Sequence, residues 1–159
     1  MRKVDRLLDE YGESHRNPLN ETIHWVCVPA IFFSIIGVIA CVPAGPMAGL
    51  EPWLGNQANW AFPVLLVLGI YYVILSPRLA VGMVLFSAAC LVGAGLLASR
   101  LPVPLWGVCL GIFAVAWVFQ FLGHRVEGKK PSFLKDVQFL LIGPAWLLHH
   151  LYKKIGLRY

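Results

Sequence analysis

Four stretches of this chain, about 23–42, 60–75, 79–98 and 105–122, are apolar and carry no Asp, Glu, Lys or Arg. About twenty such residues make one bilayer crossing. Hydrocarbon offers no partner to a backbone N–H or C=O, so only helices and closed barrels cross it. These runs are continuously apolar rather than alternating, which selects helices. The expected fold is therefore an all-α membrane protein with about four transmembrane helices. The second run, only sixteen residues long, is expected to borrow from its flanks. Composition agrees: 13% of residues are charged and 58% hydrophobic, whereas a soluble domain carries about 25% charge. No repeat, low-complexity tract or composition break divides the chain, so 1–159 is read as one integral membrane domain.

Outside the four runs the chain is polar and patterned. In residues 1–13, Val4, Leu7, Leu8 and Tyr11 recur at helical spacing among charges. That pattern predicts a short amphipathic helix on the membrane surface or against the rest of the protein, stopping at Gly12. Asn17-Pro18 reads as an N-cap followed by proline at the first helical position. Residues 43–59 form a Gly/Pro/Asn-rich loop, and Ser76-Pro77-Arg78 a tight turn. Gly107 and Gly111 form a small-xxx-small pair that suits close helix packing. The apolar run 137–148 is too short to span and holds Gly143-Pro144. It is expected to be an interfacial or re-entrant helix closed by His149 and His150. The four cysteines, Cys27, Cys41, Cys90 and Cys109, lie in apolar segments with no Cys-x-x-Cys and read as small core residues.

With four spans both termini share a side. Of the thirteen Lys and Arg, all but Arg100 fall there, Lys135 and Arg158 included. The positive-inside rule then places both termini in the cytoplasm: the inner membrane of a bacterium or the endoplasmic reticulum of a eukaryote. Trp60 and Trp106 fall at the outer border, Trp25 and Trp117 nearer the inner one, as an aromatic belt requires. The net charge of +5 does not point to nucleic acid. The basic residues cluster beside the spans, where they meet anionic lipid, and form no stripe interleaved with aromatics.

All five histidines, His15, His24, His124, His149 and His150, fall on the cytoplasmic side or its border. Imidazole suits iron, zinc and copper. A cluster drawn from three separated segments at one depth is a metal-site hypothesis, against the plainer one that interfacial histidines are tolerated singly. His15 and His24 are nine residues apart, so on one continuous helix they would stand about 13 Å apart along the axis. They can share a metal only if the chain turns between them, as Asn17-Pro18 allows. Asn20 and Gln120 lie one helical turn before His24 and His124, where each could hydrogen-bond a ligand or a substrate. Glu127, one turn past His124, could be a ligand or a supporting partner, or pair with Lys130 in solvent. Serine-hydrolase, phosphate-loop and His-Glu-x-x-His signatures do not occur. The histidines are also too few for the two irons of membrane desaturases, so one metal is expected.

The patterns His15-x4-Asn20-x3-His24 leading to Pro29, and Gln120-Phe-x-Gly-His124-x2-Glu127 leading to Pro131, resemble the Mpo-type 2-hydroxy fatty acid dioxygenases. The closing Gln138-Phe-Leu-Leu-Ile-Gly-Pro144 fits too, so the resemblance runs essentially the length of the chain. It implies a small polytopic enzyme that uses Fe(II) and O2 to shorten long-chain 2-hydroxy fatty acids by one carbon. By that resemblance His15, His24 and His124 are the iron ligands and the catalytic centre. A fourth ligand is expected from His149 or His150. Periodicity hardly separates the two, and His150 is preferred. Arg16 and Arg125, each adjacent to a ligand, could pair with the substrate carboxylate, or serve only as positive-inside residues. Two alternatives stand beside the enzyme: a b-type haem protein with His24 and His124 as axial ligands, and a non-enzymatic lipid-binding scaffold.

Overall fold

The computed structural model describes residues 1–131 and 138–157. Lys135 and Arg158, counted above for orientation, and Val137, the expected start of the last apolar run, lie outside the described residues. Those residues are helical throughout their regular elements: α1 (Lys3–Gly12), α2 (Pro18–Ala40), α3 (Glu51–Leu54), α4 (Ala61–Leu75), α5 (Pro77–Arg100), α6 (Leu105–Glu127) and α7 (Phe139–Lys154).

At 1.5 Å per residue, α2, α5 and α6 are each about 35 Å long, enough for a hydrocarbon core of about 30 Å. Their outward side chains are apolar and exposed, among them Leu85 and Val118. That surface suits lipid and would be untenable in water. The second expected span is the exception. α4 has 15 residues, about 22 Å. The helical turns before it, residues 45–57, lie at 79° to its axis and cannot lengthen it as a straight crossing. Among the described residues, therefore, three helices are long and apolar enough to span a membrane, and a fourth crossing arises only if the bent pair counts as one. The loop expected at 43–59 is thus partly wound, with Pro46 and Pro52 opening its turns and positive-φ glycines at 45 and 55.

Helix ends follow local chemistry. Asn17 caps α2, its Oδ1 accepting from Leu19 N at 2.9 Å, with Pro18 next. Ser76 is extended and Pro77 opens α5. Gly128, at φ 72°, turns the chain out of α6, and Lys129 N donates to the His124 carbonyl.

α2 is the central element and packs chiefly along α6, antiparallel, with further contacts to α4, α5 and α7. The closest approaches are at Gly37, where an added Cβ would strike Cys109 Sγ, and at Gly123, where it would strike Asn20 Oδ1. Gly107 and Gly111, expected to allow close helix packing, face open space. The buried stripe of α6 runs through Cys109, Ala116, Gln120 and Gly123, and the small-xxx-small pair lies off it. α1 buries Val4, Leu7, Leu8 and Tyr11 in a cluster shared with α7, so its apolar face meets protein. α7 extends past His149 and His150 to Lys154 rather than ending at them. Of the cysteines, Cys41 is exposed at the end of α2 and the other three are buried.

Candidate metal centre

Three segments meet at one end of the α2–α6 pair. His24 stands in the second turn of α2 and His124 in the last turn of α6; antiparallel packing puts them at the same depth. His15 comes from the break between α1 and α2. One ligand nitrogen of each lies within 4.8 Å of the others, and all three residues are buried. The His15 ring is stacked on Tyr11 at 4.2 Å and sits edge-on to His24 and His124, at 4.1 and 5.1 Å between centroids.

Backbone carbonyls orient two of these rings. His15 Nδ1 donates to the Tyr11 carbonyl at 2.6 Å, and His24 Nδ1 to the Asn20 carbonyl at 2.8 Å. A carbonyl only accepts, so in both rings Nδ1 carries the hydrogen and Nε2 keeps its lone pair, the form that binds metal. His15 Nε2 and His124 Nδ1 are buried with no hydrogen-bond partner. Leaving such atoms unpaired is costly. Unpartnered ring nitrogens within a cluster of three buried imidazoles are what a divalent cation would satisfy, so the residues present fit a metal. Burial, then the neighbouring His24, push the His15 pKa down to about 3, which keeps that ring neutral and able to ligate. A haem fits less well. It needs a flat slot between His24 and His124, and His15 lies against both rings.

The other expected residues divide. Glu127 neither joins the histidine group nor pairs with Lys130. Its carboxylate accepts from Arg16 N at 3.0 Å, Asn17 N at 2.8 Å and Asn20 Nδ2 at 3.2 Å, capping the start of α2. A negative charge there also suits the helix dipole. Asn20 acts through its main chain on His24, while its amide bridges Glu127 and the Ser14 carbonyl. Gln120 is buried beside the His24 ring. Arg16 and Arg125 are exposed. His150, expected as the fourth ligand, is not brought into the group. Its Nδ1 donates to the Trp146 carbonyl at 2.9 Å, and the Trp146 indole packs on both His150 and His15. His149, His150 and Arg16 line a separate polar cleft, with His15 in its wall.

On its other side the cluster opens into an apolar cavity of about 260 Å³. His24, Val28, Ile31, Phe32, Ile35, Ile36 and Ile39 line it from one face of α2, with Val64 and Leu68 from α4 and Trp117, Gln120 and His124 from α6. Trp117, expected near the inner border, also lines this cavity. Tyr11 also lines it, its hydroxyl beside Gly143. The sequence pattern gives Tyr11 only a place on the apolar face of α1. Its position four residues before His15 was the available signal, since that carbonyl is where Nδ1 binds.

Among known proteins, the chain matches over residues 1–155 the family described as 2-hydroxy-palmitic acid dioxygenase Mpo1-like. It is 28% identical over 148 residues to the 2-hydroxy-palmitic acid dioxygenase MPO1 of Saccharomyces cerevisiae, covering 92% of this chain and 78% of the yeast protein. No solved structure matches it.

Proposed function

The chain belongs to the Mpo1-like dioxygenase family, and from that premise we propose that it is a non-haem iron enzyme that uses O2 to shorten long-chain 2-hydroxy fatty acids by one carbon. One observation carries the reading: three buried histidines, two of them with a ring nitrogen that has no hydrogen-bond partner, cluster at the head of an apolar cavity inside a bundle of apolar helices.

His15, His24 and His124 are the proposed ligands. Fe(II) bound there would supply O2 activation and a Lewis acid for the hydroxyl and carboxylate oxygens of the substrate. The chain does the rest. The Tyr11 and Asn20 carbonyls hold two imidazoles in their ligating form. Glu127 ties the His15 segment to the end of α6, so that the three rings keep one geometry. Gln120 and the Tyr11 hydroxyl border the cavity at its histidine end and are placed to hydrogen-bond the polar head of an acid. The apolar wall beyond them takes the tail and keeps water from the reacting carbons. We place the histidine end at the cytoplasmic border, where Arg16 and Arg125 would draw a carboxylate to the site.

Incubating purified protein with 2-hydroxypalmitate, Fe(II) and O2 should yield the fifteen-carbon acid by mass spectrometry. His24→Ala and His124→Ala should abolish it, and Lys154→Ala should not. Palmitate, which lacks the hydroxyl and cannot chelate through two oxygens, should be a poor substrate. Folded, iron-loaded protein that makes no shortened acid at any chain length would overturn the reading.

A further inference from the structure

The cavity at the histidines is far longer than a carboxylate and its neighbouring hydroxyl require. Its α2 wall runs from His24 to Ile39, fifteen positions, or about 22 Å along one helix face. One leaflet of hydrocarbon is about 15 Å deep, the reach of a membrane acyl tail. Among the described residues, no Asp, Glu, Lys or Arg lines the wall, and the polar groups collect at the end that holds His24, His124 and Gln120. A peptide or other polar occupant would leave its own hydrogen-bonding groups unpaired along such a wall. A linear hydrocarbon with a single polar end would not. About three-quarters of the way along, Ile35 is 38% exposed, so the slot also opens sideways, toward lipid.

The far end is defined by two helices. α2 finishes at Ala40, one residue past Ile39, and α4 starts at Ala61, so Val64 lies in its first turn. Both side chains line the cavity. We propose that the slot is a tail gauge: an acyl chain lies along α2 with its carboxylate end at His24 and His124, and Ile39 and Val64 set the longest tail accommodated. The assignment of the head group rests on the dioxygenase reading; the gauge rests on the shape and lining of the slot.

The test is equilibrium binding to protein in phosphatidylcholine nanodiscs. A fluorescent fatty acid is displaced by 2-hydroxy and by unsubstituted acids of ten to twenty carbons. Val64→Phe and Ile39→Phe should weaken the longest acids by about tenfold, the cost of leaving roughly two methylenes unburied, and leave the shortest unchanged. Val64→Ala should move the cutoff toward longer acids. Val67→Phe is the control, since Val67 is on the same helix, 65% exposed and away from the slot; it should change nothing. Equal weakening at every length, or none at any length, would overturn the gauge. Turnover is read separately. A length cutoff in binding without any shortened product sustains the gauge and sinks the dioxygenase reading; turnover with an unchanged length profile in both phenylalanine variants sinks the gauge alone.

Discussion

His15 belongs to no helix, yet it is held as firmly as His24, because each ring donates Nδ1–H to the carbonyl four residues earlier. His150 does the same with Trp146 and faces a different cleft. The shared device makes all three look alike in sequence, and only packing separates them. Single alanine substitutions with metal quantification should therefore divide cleanly. His15→Ala, His24→Ala and His124→Ala should lose bound iron, whereas His150→Ala should retain it. Retention after His24→Ala would sink the three-histidine site. Glu127 lies outside the three-histidine cluster and would act on it through two backbone N–H groups and the Asn20 amide. Glu127→Ala leaves those donors to water at a half-exposed site. It should lower stability by about 1–2 kcal/mol in thermal unfolding and weaken iron retention along with it. Glu127→Gln keeps one acceptor oxygen and should lose less.

At the scale of elements, the site is a consequence of how α2 and α6 meet. Gly37 and Gly123 mark the two ends of an antiparallel contact, and His24 and His124 lie near the second. A methyl at Gly123 would collide with Asn20, which carries the carbonyl that orients His24 and the amide that holds Glu127. Gly123→Ala should thus cost about 1–3 kcal/mol of stability, as overpacking does, and should disturb the metal site beyond that cost. Gly107→Ala, which meets nothing within 4 Å, should change neither. Parallel melting curves and iron contents of the two variants check this. Equal behaviour would mean that the helix contact does not control the site.

The whole molecule is a thin bundle whose outer surface is lipid-facing and whose polar chemistry is gathered at one end. A carboxylic acid in a bilayer keeps its head at the border and its tail in the hydrocarbon, the same polarity as the cavity. We propose the orientation from charge alone: Arg100 is the one basic residue that a four-span topology assigns to the far side. Reporter fusions after Ala58 and after Lys154 should report opposite sides of the membrane, with Lys154 cytoplasmic. The same side for both would mean that α4, only 15 residues long, does not return the chain across the bilayer.

Helices α2, α5 and α6 were legible within a few residues from apolar runs, because hydrocarbon leaves the backbone no alternative. The start of α2 was legible from Asn17-Pro18, because capping is a local matter. So was the break in the chain that lets His15 turn toward His24. The patterns around His15, His24 and His124 carried the family, because side chains that share a site leave fixed spacings along the helices that hold them. Other features depended on which residues face each other across helices, and one chain's spacing does not contain that. The α2–α6 contact chose Gly37 and Gly123 over Gly107 and Gly111. The packing of α7 against α1 put Trp146, not His150, beside His15. Glu127 reached across 110 residues to hold Asn17, and Tyr11 was turned from a surface stripe to the wall of a cavity. Each is a choice among neighbours of similar local chemistry, decided by close packing in three dimensions.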